Sequence, residues 1–289
     1  MNIINCENVR KQILDEVKAR TLSIPKYLSI AIIQVEGDDA SEVYIKNKIK
    51  TCKEVAINVI PVKCSKNITY AELTQIIQSY NEREDITGVM LQLPLPAHLS
   101  AFEQKLLDCI DWKKDIDGLS SESMGRLWAN EPCIVPATPG GVMRLLPNDL
   151  SGKEVVIVNR SSLIGKPLVK LLLDRNATVT ICHSKTKDLE RKTKNADIVI
   201  VGVGSLRMFD SSYVNYDKPQ TWVDCGINRV GNGMISGDVD MCDIKDYNYT
   251  KVRERIDIKL SLTPVPGGVG VLTTAQLATN VIRAYDLQV

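Results

Sequence analysis

The sequence predicts an α/β protein of two α/β domains, each built on a parallel sheet, separated by a cleft. Three observations carry that expectation. Short apolar runs rich in β-branched residues alternate with stretches of helical periodicity, the pattern of strands joined by crossover helices. Pro132 to Gly141, with Pro136, Pro139 and a glycine pair, punctuates the chain strongly enough to mark a boundary. From Lys153 onward a second strand-loop-helix series begins, with the order of a Rossmann-like domain. The expected domains are residues 1–138 and 139–269, with a last helix over 270–289 returning to pack onto the first and across the cleft.

In chain order, residues 5–20 have helical spacing through Val9, Ile13 and Val17. Leu28 to Val35 is the apolar run of a strand buried on both faces. Gly37-Asp38-Asp39 turns the chain into a helix over Ser41 to Val55, followed by a strand at Ile57 to Val62, a helix at Tyr70 to Tyr80 and a strand at Ile86 to Leu93. Leu99 to Ile110 reads as one helix, and Asp111 to Gly118 as a polar loop. Thr138 is placed to cap a short helix with Pro139 in its first turn. In the second domain Val155 to Val158, Thr178 to Cys182, Asp197 to Val201 and Thr221 to Asp224 read as strands, Gly165 to Asp174 as a helix, and Thr273 to Tyr285 as the core of the last helix.

Bulk composition narrows the function. Lys plus Arg (36) and Asp plus Glu (35) nearly cancel over 289 residues, which argues against nucleic-acid or membrane partners and for a small-molecule ligand. The eight cysteines contain no C-x-x-C, as expected of reduced thiols, and with two histidines no metal site is expected. With no signal peptide and no apolar run near roughly 18 residues, a soluble cytoplasmic protein is expected.

Lys48 is the first candidate for chemistry. At roughly 100° per residue, Tyr44, Ile45, Lys48, Ile49, Cys52 and Val55 share one arc of about 140°. Lys48 is the only charge on that face. A buried ammonium is costly and commonly has a shifted pKa and a task, although a snorkelling or ion-paired structural lysine fits the same pattern. Gln92 stands at the carboxyl end of a strand, where ligands of parallel sheets sit.

The second candidate is Asn159-Arg160-Ser161-Ser162-Leu163-Ile164-Gly165, between a buried strand and a helix N-terminus, where free amides and the helix dipole attract a pyrophosphate. An ordinary strand-to-helix loop is the plainer reading. Asn159 stands at the first glycine position of such loops, and asparagine tolerates left-handed backbone. After the next strand come His183-Ser184-Lys185 rather than an acidic residue, which suits the 2′-phosphate of NADP better than the bare ribose of NAD; a solvated basic loop would look similar. Glycines follow the later strands at Gly202-Val203-Gly204 and Cys225-Gly226-Ile227. They permit close approach of a ligand and equally serve plain turns.

Taken together, Tyr44-x-x-x-Lys48, Gln92-Leu93-Pro94-Leu95-Pro96, Lys114-Asp115-Ile116-Asp117-Gly118, Pro136-x-Thr138-Pro139, Arg160-Ser161-x-x-x-Gly165-x-Pro167, Cys182-His183-Ser184, Asp224-x-Gly226-Ile227-Asn228 and Pro264-x-Pro266-Gly267-Gly268-Val269-Gly270 resemble the bifunctional methylenetetrahydrofolate dehydrogenase/methenyltetrahydrofolate cyclohydrolase family over essentially the whole chain. The resemblance implies a folate-binding catalytic domain, an NADP-binding domain and a homodimer joined through the NADP domains, acting in one-carbon metabolism and purine biosynthesis. It implies that Lys48 handles the proton of the hydrolytic step, that Gln92 holds Lys48, and that Tyr44 stacks on or positions the folate. Asp117, which by itself reads as a turn residue before Gly118, would bind the amino-pyrimidine edge of the pterin. Leu91, Leu93, Pro266, Gly267, Gly268, Val269 and Gly270 would line the folate site. Asn159, Arg160, Ser161, Gly165 and Ser184 would hold the NADP phosphates, and Ile227 the nicotinamide side. Departures from the usual pattern include Ala56 and Asn159 where glycine is common, Ala137 for a frequent cysteine and Val271-Leu272 for a Pro-Met pair. A different two-domain NADP-dependent oxidoreductase and a folate-binding homologue without turnover are the alternatives.

Overall fold

The computed structural model describes residues 1–37, 39–231, 233–253 and 259–289, with backbone only at 39–41 and 248–253. Asp38 of the expected turn lies outside the described residues. The elements run β1 (Asn2–Ile3), α1 (Cys6–Ser23), β2 (Ser29–Val35), α2 (Asp39–Glu54), β3 (Asn58–Cys64), α3 (Tyr70–Asn81), β4 (Gly88–Leu91), α4 (Ala97–Ser100), α5 (Glu103–Leu107), α6 (Ser121–Ala129) and α7 (Ala137–Met143). They continue with β5 (Glu154–Val158), α8 (Gly165–Leu173), β6 (Thr178–Cys182), α9 (Leu189–Asn195), β7 (Ile198–Val201), β8 (Gln220–Asp224), β9 (Asn228–Val230), β10 (Met234–Ser236), α10 (Met241–Arg253), β11 (Leu260–Leu262) and α11 (Val269–Gln288). Two compact units result: Lys11–Ala137 with Thr274–Val289, and Met1–Arg10 with Thr138–Thr273.

The first unit is built on a parallel sheet of order β3-β2-β4. Central β2 is buried at every position after Ser29, as its unbroken apolar run requires. Ile33 pairs with Val62 on one side and Leu91 on the other, so the strand ends of the sheet coincide near Gln92. Helix α3 starts with a capping box, Thr69 accepting from the Glu72 amide while Glu72 accepts from the Thr69 amide. Helix α2 ends with Ala56 in the left-handed region (φ 59°), the Ile57 amide donating to Cys52 and the Ala56 amide to Lys53, a Schellman arrangement that glycine fits better.

The helix expected over Leu99 to Ile110 is instead two short ones. Phe102, with φ −105° and ψ 3°, leaves helical geometry, packs its ring 5.2 Å from Tyr70 and accepts the Leu106 amide to start a new turn. Thr138 is not a cap either. Helix α7 already includes Ala137, and the Thr138 hydroxyl lies 3.2 Å from that of Thr273. Nor is the expected polar loop solvated throughout, since Lys114, Asp115 and Ile116 are buried and Asp115 bridges to Val89. The last helix is fixed by polar bonds: Asn280 Nδ2 donates to the carbonyls of Ile116 and Val135 (2.8 Å each), and Gln288 Nε2 to that of Thr87 (2.8 Å).

The second unit holds a six-stranded all-parallel sheet, order β1-β11-β8-β7-β5-β6, and the antiparallel hairpin β9-β10. Its core includes Phe209 and Trp222, with ring centroids 6.0 Å apart. Residues Met1–Arg10, expected in the first domain, cluster here because Asn2 and Ile3 pair with Ser261 and Leu262. Two residues carry no readable period, so this edge strand was invisible to patterning.

Candidate functional site

In the first unit the candidate site forms where α2 faces β4. Side chains two apart on a strand share a face, so Met90 and Gln92 point the same way. Lys48 Nζ donates to Gln92 Oε1 (3.0 Å) and contacts Met90 Sδ (3.4 Å). Gln92 is itself held: its Nε2 donates to the Leu93 carbonyl (2.5 Å) and its backbone amide to that of Ile33 (2.8 Å), which leaves Oε1 aimed at the amine. Burial lowers the Lys48 pKa, opposed by the negative charge of Asp117 and then by Cys52. The Cys52 thiol, one turn further along α2, is pushed up to about 12 by burial, with Lys48 pulling it down, and so stays protonated at neutral pH.

The arc expected to be buried on α2 is graded instead. Ile45, Cys52 and Val55 are buried, Lys48 and Ile49 half-buried, and Tyr44 is 38 % exposed. The helix follows the carboxyl end of β2, so its early turns lie where the sheet stops and a ligand can reach Tyr44.

Asp117 is half-buried, and its carboxylate makes no hydrogen bond to a described residue. Its placement is the work of Asp115. That buried carboxylate accepts from the amides of Gly118 (3.0 Å) and Ser120 (2.8 Å) and from Ser123 Oγ (2.8 Å). Burial raises the Asp115 pKa, and the hydrogen bonds from Ser120 and Ser123 oppose the rise. Gly118, at φ 67°, allows the turn; a Cβ there would lie 2.7 Å from the Ile134 carbonyl oxygen. Asp117 thus occupies a turn that presents a free carboxylate.

In the second unit strand order reverses between β5 and β7, since the chain passes from β5 to β6 on one side and then to β7 on the other. Ligands of doubly wound sheets bind at such a switch point, beyond the carboxyl ends of the strands. Val158 pairs with Cys182, so Asn159-Arg160-Ser161 and His183-Ser184 leave adjacent strands side by side. Arg160, Ser184 and Lys185 are exposed there and Ser161 is half-buried, a donor set that fits phosphate.

Asn159 departs from the expected left-handed geometry: it is not among the residues with positive φ. Its side chain substitutes for backbone freedom. Oδ1 accepts from the Ser161 amide (2.7 Å), Ser161 Oγ (2.8 Å) and the Gly165 amide (3.0 Å), while Nδ2 donates to the Gly202 carbonyl. Asn159 therefore shapes the loop with its side-chain polar atoms occupied. Gly165 packs against it so closely that a Cβ would lie 2.1 Å from the Asn159 carbonyl oxygen.

Ile227 is exposed just after Gly226, at the end of β8. Pro266, Gly267, Gly268, Val269 and Gly270 belong to the second unit, where Gly267 has φ 88° and a Cβ on Gly268 would meet the Pro264 carbonyl oxygen at 2.0 Å. Leu91 is buried and Leu93 half-buried against the first unit's core. Patterning did not reveal Met90, Asp115 or Asp238. Asp115 sits in a quoted motif, but Met90 and Asp238 gain meaning only from strand pairing.

Two family models match the chain: the catalytic domain of tetrahydrofolate dehydrogenase/cyclohydrolase over residues 4–117 and its NAD(P)-binding domain over residues 136–289. A bifunctional protein FolD of Agathobacter rectalis is 39 % identical, covering 98 % of each chain. The solved bifunctional FolD methylenetetrahydrofolate dehydrogenase/cyclohydrolase of Campylobacter jejuni is 34 % identical, covering 100 % of each chain, with a TM-score of 0.90. The Trypanosoma brucei methylenetetrahydrofolate dehydrogenase-cyclohydrolase, solved with NADP cofactor and an inhibitor, is 25 % identical over 98 % of this chain and 97 % of its own, with a TM-score of 0.84. With a lysine-glutamine pair at the strand ends of one unit and a phosphate-type loop at the switch point of the other, this chain belongs to the tetrahydrofolate dehydrogenase/cyclohydrolase family.

Proposed function

We propose that the protein oxidises 5,10-methylene-tetrahydrofolate to the 5,10-methenyl cation with NADP⁺ and hydrolyses that cation to 10-formyl-tetrahydrofolate. The observation that supports this most directly is Lys48 Nζ held 3.0 Å from Gln92 Oε1, with its proton affinity lowered by burial. An amine so placed gives up its proton more readily than an exposed lysine and can pass one to or from water, as hydrolysis of a cation requires. Gln92 orients that amine. Asp117 offers two carboxylate oxygens to the pterin amino-pyrimidine, and Tyr44 a ring face to the folate.

NADP⁺ supplies the hydride acceptor. Arg160, Ser161 and Ser184 hold its phosphates, Asn159 and Gly165 shape the loop that receives them, and Ile227 borders the nicotinamide side. Hydride transfer needs no protein acid or base, so positioning supplies most of the effect. Leu91, Leu93, Pro266, Gly267, Gly268, Val269 and Gly270 are assigned to folate contact by their motifs. We assign the enzyme to the cytoplasm, where its eight free cysteines fit a reducing environment. The family resemblance extends this to a homodimer joined through the NADP domains, which sedimentation checks.

The test follows NADPH formation and methenyl decay in purified wild type and Lys48→Ala. Loss of hydrolysis in the variant is expected; hydrolysis at the wild-type rate refutes the role of Lys48. Wild type that reduces neither NADP⁺ nor NAD⁺ with methylene-tetrahydrofolate refutes the dehydrogenase.

A further inference from the structure

We infer that Asp238 is a positioning residue for the dinucleotide: its buried carboxylate fills the amide nest after β7 and thereby sets which loop receives the phosphates. It is completely buried. Asp238 Oδ2 accepts from the amides of Val203 (2.5 Å) and Gly204 (3.1 Å), and Oδ1 from the amide of Ser205 (2.9 Å) and from Asn228 Nδ2 (2.9 Å).

Three successive amides converging at the carboxyl end of a strand make an anion site. Such a site beside the switch point competes with the β5 loop for a pyrophosphate. Here a protein carboxylate occupies it, so the three amides are committed inward and the loop turns the exposed Val203 side chain outward. Phosphate recognition falls to Arg160, Ser161 and Ser184.

Asp238 also ties the loop to the end of β8. Gly226 passes so near that a Cβ would lie 2.3 Å from Asp238 Cγ, and Asn228, two residues beyond, donates to the same carboxylate. Ile227 sits between these contacts. From the other side Asn159 Nδ2 holds the Gly202 carbonyl, so residues 202–205 are fixed at both ends. One carboxylate therefore sets the relative placement of the β7 loop and of Ile227.

This inference rests on the NADP reading above, and its test separates the two. NADP⁺ affinity is measured by calorimetry for wild type and Asp238→Asn, alongside the KM for NADP⁺ and the hydrolysis of methenyl-tetrahydrofolate, which uses no dinucleotide. The Asn variant keeps the shape but turns one acceptor into a donor facing amides. Its Kd and KM for NADP⁺ are expected to rise about ten-fold, with hydrolysis near wild type. A rise of less than three-fold overturns the inference. If Asp238→Asn fails to fold, Asn228→Ala decides, since it removes one of the four bonds: a raised Kd with intact hydrolysis supports the role, and an unchanged Kd overturns it. Wild type that binds no NADP⁺ refutes the NADP reading itself.

Discussion

Asn159→Ala isolates the physical claim that a side chain replaces glycine in the phosphate loop. The substitution removes the acceptor of three hydrogen bonds, from the Ser161 amide, Ser161 Oγ and the Gly165 amide, and the donor of a fourth to Gly202. The site is half-buried, so each bond contributes about 0.5–1 kcal/mol, and the total loss is about 2–4 kcal/mol. For a unit of this size about 1 kcal/mol shifts the melting midpoint by roughly 2–4 °C, so a fall of roughly 4–16 °C is expected by scanning calorimetry. NADP⁺ affinity falls with it, because the Ser161 hydroxyl and the helix start lose their common anchor. A fall under about 2 °C with unchanged NADP⁺ affinity refutes the reasoning and returns the loop to backbone control.

Other perturbations give separate readouts. Burial lowers the Lys48 pKa, so the folded state releases that proton at lower pH than the unfolded chain; the stability cost is full below the folded pKa and fades as pH rises towards the unfolded lysine value. Lys48→Met is expected to raise the melting midpoint at neutral pH while abolishing hydrolysis, with the difference narrowing in alkali; a lowered midpoint at neutral pH contradicts the burial argument. Asp117→Asn retains one acceptor and is expected to weaken folate binding by about 2 kcal/mol, roughly thirty-fold in KM, while the Kd for NADP⁺ stays constant. Ala56→Gly relieves a left-handed alanine at the end of α2 and is expected to stabilise by about 1 kcal/mol in denaturant unfolding; destabilisation counts against the cap. Gly88→Ala places a Cβ 2.2 Å from Ile116 Cγ2 and is expected to cost about 1–3 kcal/mol, partly restored when Ile116→Ala is added.

Local patterns were legible. The apolar run of β2 gave a strand buried on both faces, and the helical arc singled out Lys48. Gly165 was placed at a helix start and Gly118 after a turn, but that backbone packs tightly against both appears only in the structure. What patterning missed was long-range. The edge strand β1 exists only because its partner lies some 260 residues away, at Ser261 and Leu262. The break at Phe102 comes with a ring contact to Tyr70 from another helix. Asn159 was read for its backbone tolerance, whereas its function in the loop is carried by its side chain.

Sequence by itself determined the α/β class and singled out Lys48 and the Asn159-to-Gly165 loop as candidates, which follow from period, composition and spacing, properties of neighbouring residues; the family followed separately, from resemblance across eight ordered motifs. Tertiary structure alone decided that Met90 and Gln92 share the face Lys48 meets, that Asp115 rather than Asp117 is the buried partner of its turn, and that Asp238 closes on three amides of a distant loop. Each of those depends on burial and on hydrogen bonds between segments far apart in the chain, and no local pattern encodes which distant group a carboxylate will reach.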